Sequence, residues 1–86
     1  MKTKITLFTA DFCTVCKSIY PLFKDIKHEV INLSTGDAAE DRAMKENVSS
    51  LPTLIFYQNG IEIFRHIGVF SKGDLKRMMD EYGGTE

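Results

Sequence analysis

No excess of either charge, no long apolar run and no dispersed set of cysteines occurs in this chain of 86 residues. Eleven Lys and Arg against twelve Asp and Glu give a net charge of −1. Without a block of like charge there is no electrostatic footprint for nucleic acid or for an anionic membrane. Charges or turn residues interrupt every apolar stretch well short of the ~18 residues a membrane span needs. Met1 to Phe8 has basic residues but no apolar core or small-residue cleavage site behind them, so no secretion signal is expected. Only Cys13 and Cys16 are present, whereas small extracellular scaffolds spread four or more cysteines along the chain. Internal repeats, low-complexity tracts and linkers are also missing. The expectation is a single domain over residues 1–86, soluble, cytoplasmic and monomeric, with an ordinary globular composition of 43% hydrophobic and 27% charged residues.

Lys4 to Thr9 alternates and is rich in β-branched and aromatic residues, which predicts a strand. Ile5, Leu7 and Phe8 point to burial on both faces and hence a central position. Ile19, Leu22, Phe23 and Ile26 fall at i, i+3, i+4 and i+7, predicting a helix from about Cys13 to Lys27 that is kinked by Pro21. Glu29 to Leu33 predicts a second strand, followed by a loop at Ser34-Thr35-Gly36. Asp37 with Glu40 suggests a capped helix up to about Asn47, with Ala39, Ala43, Met44 and Val48 as its apolar stripe. Thr53 to Tyr57 and Ile61 to Ile67 read as a hairpin turned at Asn59-Gly60. Ser71 with Asp74 caps a last helix that buries Leu75, Met78, Met79 and Tyr82 and stops at Gly83-Gly84. The order βαβ-α-ββ-α implies an α/β fold. Its four-stranded mixed sheet has a parallel first pair, an antiparallel hairpin and helices on both faces.

Cys13-Thr14-Val15-Cys16 follows the first strand and opens the first helix. There, unpaired amides and the positive helix end favour a thiolate, lowering the pKa of Cys13 from the free value of about 8.5. A second sulfur one turn on is placed to attack a mixed disulfide formed by the first, which makes the second step intramolecular. Cys13 is therefore the expected nucleophile and Cys16 the resolving thiol. As a purely structural staple the pair closes a loop so short that it constrains little of the unfolded chain, roughly 2 kcal/mol. Zinc needs four ligands, and the remote His28 and His66 supply no second pair at metal spacing. Both histidines read as packing or surface residues. Asp11 reads as a solvated loop acid. Lys17 is either a thiolate-favouring charge or a solvated surface residue.

Phe12-Cys13-Thr14-Val15-Cys16-Lys17 after a strand, Pro21 in the following helix and Leu51-Pro52-Thr53 before another strand together resemble the thioredoxins. The segments Pro52 to Gly60 and Ile67 to Leu75 extend that resemblance over nearly the whole chain. The length is nearer that of glutaredoxins, because the extra N-terminal strand and helix of full thioredoxins are missing; the chain looks like a minimal thioredoxin fold. The resemblance implies a thiol-disulfide oxidoreductase that reduces protein disulfides and needs no cofactor or metal beyond its cysteine pair. A thioredoxin-reductase-type flavoprotein would regenerate it. It also implies a cis Leu51-Pro52 bond whose preceding backbone pairs with substrate, and a substrate surface of Phe12, Leu51, Pro52, Gly68 and Val69, with Phe70 as a further exposed apolar candidate. Phe12 replaces the usual tryptophan, Thr14-Val15 replaces Gly-Pro or Pro-Tyr, and Leu7 stands where thioredoxins carry a buried acid. The two alternatives are a glutathione-dependent glutaredoxin and a metal or iron–sulfur module built by two chains. Gly68-Val69-Phe70-Ser71 in place of a glutaredoxin-like turn argues against strong glutathione binding.

Overall fold

The computed structural model describes residues 3–83. Strands β1 (Thr3–Thr9), β2 (Glu29–Asn32), β3 (Thr53–Gln58) and β4 (Ile61–Ile67) form one sheet in the order β2-β1-β3-β4. β1 is parallel to β2 and antiparallel to β3, and β3 and β4 form an antiparallel hairpin. The central place of β1 follows from its burial on both faces: Ile5 and Leu7 belong to one apolar cluster and Phe8 to the other. Helix α1 (Asp37–Lys45) covers the face of Phe8, Ile55 and Tyr57, placing Ala43 against them. Helix α2 (Lys72–Tyr82) covers the face of Ile5, Leu7, Leu54 and Phe56 through Leu75 and Met78, joined by Ile19, Phe23 and Phe70. Each such aliphatic or aromatic side chain contributes ~1.5–3 kcal/mol on burial.

The long first helix is not formed. Val15–Ser18 and Tyr20–Phe23 are two separate 3-10 segments. Amides bond three residues back, as in Ile19 N–H to Cys16 O at 3.2 Å and Leu22 N–H to Ile19 O at 3.0 Å. Three local features oppose a regular helix. Pro21 has no N–H to offer the Lys17 carbonyl, Thr14 and Val15 are stiff β-branched residues, and Ser18 Oγ donates to the Val15 carbonyl at 2.8 Å. The period-3.6 pattern survives only as the core contacts of Ile19 and Phe23, with Leu22 and Ile26 packed at the margin. Pro21 thus sits in the first turn of the second short segment, after Tyr20, and kinks nothing.

Other boundaries shift for local reasons. β2 ends at Asn32, and Leu33 joins a 3-10 turn, Leu33–Thr35, in which Asn32 Oδ1 accepts from Ser34 N–H. Gly36, at φ 140°, is the N-cap of α1, so Asp37 is the first helical residue and the expected Asp37 capping box is not made. Asp37 and Glu40 instead favour the positive helix end by charge. The helix closes earlier than Asn47, in a left-handed C-terminal motif. Asn47 takes φ 58°, its amide reaches Met44 O at 3.1 Å, and Val48 N–H reaches Ala43 O at 2.8 Å. Met44 is 74% exposed and does not belong to the apolar stripe. At the hairpin, Asn59 (φ 54°) and Gly60 (φ 81°) adopt the positive φ values expected of that dipeptide. The Ser71/Asp74 capping box of α2 is present in both directions. The expected stop at Gly83-Gly84 falls partly outside the described residues: the Gly83 amide still bonds Met79 O at 2.9 Å.

Candidate active site

β1 delivers the chain to a tight turn in which Cys13 N–H bonds Ala10 O at 3.0 Å and Cys16 N–H bonds Cys13 O at 3.2 Å. This brings the Cα atoms of Cys13 and Cys16 to 5.3 Å, and the two sulfurs are joined as a disulfide. The environments of the sulfurs differ. Cys13 is 8% exposed and borders a groove, whereas Cys16 is 0% exposed beneath it. Because a four-residue 3-10 turn aligns few peptide dipoles, the field of a long helix expected at Cys13 is reduced to that of one short turn.

The groove has a volume of about 380 Å³ and runs between Phe12 and Cys13 on one side and Leu33, Val48, Ser49, Ser50 and Leu51 on the other. Phe12 is 76% exposed. The Leu51-Pro52 peptide is cis, Pro52 is fully buried, and Thr53 Oγ1 donates to Ser50 O at 2.6 Å. Gly68 N–H donates to Pro52 O at 2.8 Å, so the Gly68 loop and the proline loop are joined backbone to backbone. Gly68 takes φ 100°, a conformation that favours glycine. Beyond it the two expected apolar neighbours divide. Val69 is 52% exposed, whereas Phe70 is buried, edge-on to Phe23 at 6.0 Å and to His66 at 5.4 Å. Phe70 is therefore core, not docking surface.

The polar residues near the turn have structural partners. Asp11 accepts from Asn32 Nδ2 at 2.9 Å, and its amide donates to Ser34 Oγ at 2.9 Å, which ties the turn to the end of β2. Leu7 is buried in the core, so the family's acidic position is apolar here. Tyr20 OH and the buried Thr9 Oγ1 are 2.6 Å apart. His66 Nε2 lies 3.2 Å from the Val69 carbonyl and His28 Nδ1 2.7 Å from the Ile26 carbonyl, so both histidines are packing residues. Lys17 is exposed. No group of three or more His, Cys, Asp or Glu able to hold a metal is found among the described residues, nor is any helix long and apolar enough to cross a membrane.

One contributor left no trace in motif or spacing. Arg65 on β4 donates to Glu46 O at 2.6 Å and Asn47 O at 3.2 Å, the carbonyls at the end of α1 where the proline loop begins. Glu62 holds the guanidinium at two points, 2.9 and 2.8 Å. The hydrogen bonds to Glu62 outweigh burial and raise the pKa of Arg65 further above its usual value. A β-bulge between β3 and β4 puts Glu62 and Arg65 in reach of each other; a strand pattern of period 2 would have put them on opposite faces.

The family model for thioredoxin matches residues 1–81. A thioredoxin of Chlamydia caviae is 32% identical over 79 residues, which cover 87% of this chain and 78% of that protein. Thioredoxin-2 of Saccharomyces cerevisiae is 35% identical over 71 residues, 78% of this chain and 68% of its own. Among solved structures, oxidized thioredoxin O2 of Arabidopsis thaliana superposes with a TM-score of 0.76 at 26% identity, covering 93% of this chain and 74% of that one. The paired cysteines stand on a fold shared with these proteins: the chain belongs to the thioredoxin family and is a dithiol/disulfide oxidoreductase acting on protein disulfides.

Proposed function

We propose that this protein, one domain over residues 1–86, is a cytoplasmic, monomeric reductant of protein disulfides in which Cys13 attacks and Cys16 resolves. The unequal setting of the two sulfurs supports these roles most directly: Cys13 borders the groove and Cys16 is covered. In the dithiol form, the Cys13 thiolate attacks one sulfur of a substrate disulfide. The new S–S bond forms as the old one breaks, and the second substrate sulfur leaves as a thiolate that takes up a proton. Cys16, deprotonated, then attacks Cys13 Sγ and expels the first substrate sulfur as a thiolate, which is protonated in turn. Two electrons have passed to the substrate and the Cys13–Cys16 disulfide is restored. Substrate lies across Phe12 and Val69 and pairs as an extended strand with backbone at Leu51, beside Pro52 and Gly68. The redox group is the cysteine pair itself, and a flavoprotein of the thioredoxin-reductase type returns the electrons.

The test is trapping. With a disulfide substrate, Cys16→Ser accumulates a mixed disulfide through Cys13, whereas Cys13→Ser accumulates none. Trapping through Cys16 in Cys13→Ser alone reverses the roles. For recycling, NADPH with a cognate flavoprotein reductase restores the dithiol much faster than millimolar glutathione in stopped-flow reduction. Saturable turnover by glutathione with no response to the reductase moves the protein to glutaredoxin chemistry.

A further inference from the structure

The proline loop must present backbone at Leu51 in one fixed geometry to pair with an extended substrate, and it departs from the C-terminal end of a nine-residue helix. Lys45, Glu46 and Asn47 carry carbonyls that the helix itself cannot satisfy. Two of these are taken up by Arg65, which sits on β4 and not on α1. Arg65 is in turn fixed by the bidentate contact of Glu62, also on β4, a planar arrangement that a lysine cannot reproduce. A second strut is parallel to it: Tyr57 OH on β3 donates to Glu46 Oε1 at 2.6 Å. Downstream, Gly68 N–H and Thr53 Oγ1 hold the other end of the loop through Pro52 O and Ser50 O. The loop is therefore suspended between two anchors on the β3–β4 hairpin, and Ser49 to Leu51 between them line the groove beside Cys13.

We propose that Arg65, held by Glu62, is a positioning residue for substrate: it fixes the upstream end of the proline loop so that Leu51 presents its backbone in the geometry that pairs with an extended peptide. The proposal rests on the assignment of Leu51 as the substrate-pairing residue. Releasing the clamp leaves both cysteines and their turn intact, because among the described residues the side-chain hydrogen bonds of Arg65 run to Glu46, Asn47 and Glu62 and none to residues 10–18. The loop then spends part of its time outside the pairing geometry, and apparent affinity falls by the fraction lost.

The experiment compares two substrates of the reduced protein: a disulfide-linked extended peptide, and a small aromatic disulfide that has no backbone to pair. In Arg65→Gln, KM for the peptide rises about fivefold, while kcat and the rate with the small disulfide stay within about twofold of wild type. Glu62→Gln, which keeps Arg65 but loosens its orientation, shifts KM in the same direction by less. A peptide N-methylated at the residues flanking its cysteine tests the underlying assignment. It has a raised KM with the wild-type protein, and the extra penalty shrinks in Arg65→Gln. An unchanged peptide KM in Arg65→Gln, with the N-methyl penalty intact, overturns the clamp alone. Equal loss on both substrates also overturns it, because the role is then merely structural. If N-methylation has no effect in wild type, backbone pairing at Leu51 fails and the clamp falls with it. Should Arg65→Gln not fold, a wild-type peptide KM in Glu62→Gln is decisive against the proposal.

Discussion

The Tyr57 hydroxyl is buried under α1 and donates to the Glu46 carboxylate at 2.6 Å. Burial first, and the Glu46 hydrogen bond and charge second, push its pKa up to about 12. In a spectrophotometric titration Tyr57 gives a phase near pH 12, and Tyr57→Phe removes that phase. A folded pKa above the unfolded value means that the native state holds the proton more tightly. The contribution is therefore complete below the unfolded value near 10 and is lost as pH rises toward about 12. At neutral pH, Tyr57→Phe leaves Glu46 without its donor and costs about 1–2 kcal/mol in denaturant unfolding. No loss at neutral pH would show that the hydroxyl adds nothing beyond its ring.

Among the elements, α2 is the one whose start depends on a side-chain cap in both directions. Ser71 Oγ accepts from Asp74 N–H at 3.0 Å and Ser71 N–H donates to Asp74 Oδ2 at 3.1 Å. Ser71→Ala is expected to cost about 1 kcal/mol in thermal or denaturant unfolding. The Ser71 backbone bond, ahead of the Ser71 hydroxyl and nearby positive charge, holds Asp74 below the usual carboxylate range. Its contribution is present at neutral pH and fades as pH falls through that lowered value. α1 lacks a side-chain cap at its start, and its Met44 faces water. Met44→Lys should therefore change stability by no more than about 0.5 kcal/mol, and a loss of several times that would place Met44 in packing that its exposure denies.

On the scale of the whole molecule, one carboxylate gathers three elements. Glu29 on β2 accepts from Thr6 on β1 at 3.0 Å, pairs with Lys4 at 3.3 Å and takes a two-point contact from Arg42 on α1 at 3.2 and 3.3 Å. Burial alone would raise its pKa, but the hydrogen bonds from Arg42, Thr6 and Lys4 outweigh it and leave the value lowered. A lowered folded pKa gives stability above the unfolded value that is lost as pH falls through the folded one. Wild type should thus lose stability on acidification through and below the ordinary carboxylate range, and Glu29→Gln should start less stable and fall less steeply there. Parallel curves for the two proteins would mean that the network has no net linkage.

The strands, the hairpin turn, the α2 cap and the cysteine pair were legible in the sequence because each is decided within a few residues. Examples are the β-branched alternation of Lys4 to Thr9, the positive-φ tolerance of Asn59-Gly60 and the three-residue reach from Ser71 to Asp74. The same holds for Cys13 and Cys16, whose chemistry depends on their spacing. What the tertiary structure alone decided depends on groups far apart in the chain. The helical periodicity after Cys13 is broken locally, by Ser18, Pro21 and the β-branched residues, but that Ile19 and Phe23 still reach the core is decided by their packing with Leu7, Leu54 and Phe56 from distant strands. Val69 and Phe70 are equally apolar neighbours, and only packing against Phe23 and His66 sends one inward. Arg65 reaches Glu46 and Asn47 across the sheet because a bulge turns it beside Glu62, and no local preference encodes a hydrogen bond to a carbonyl eighteen or nineteen residues away.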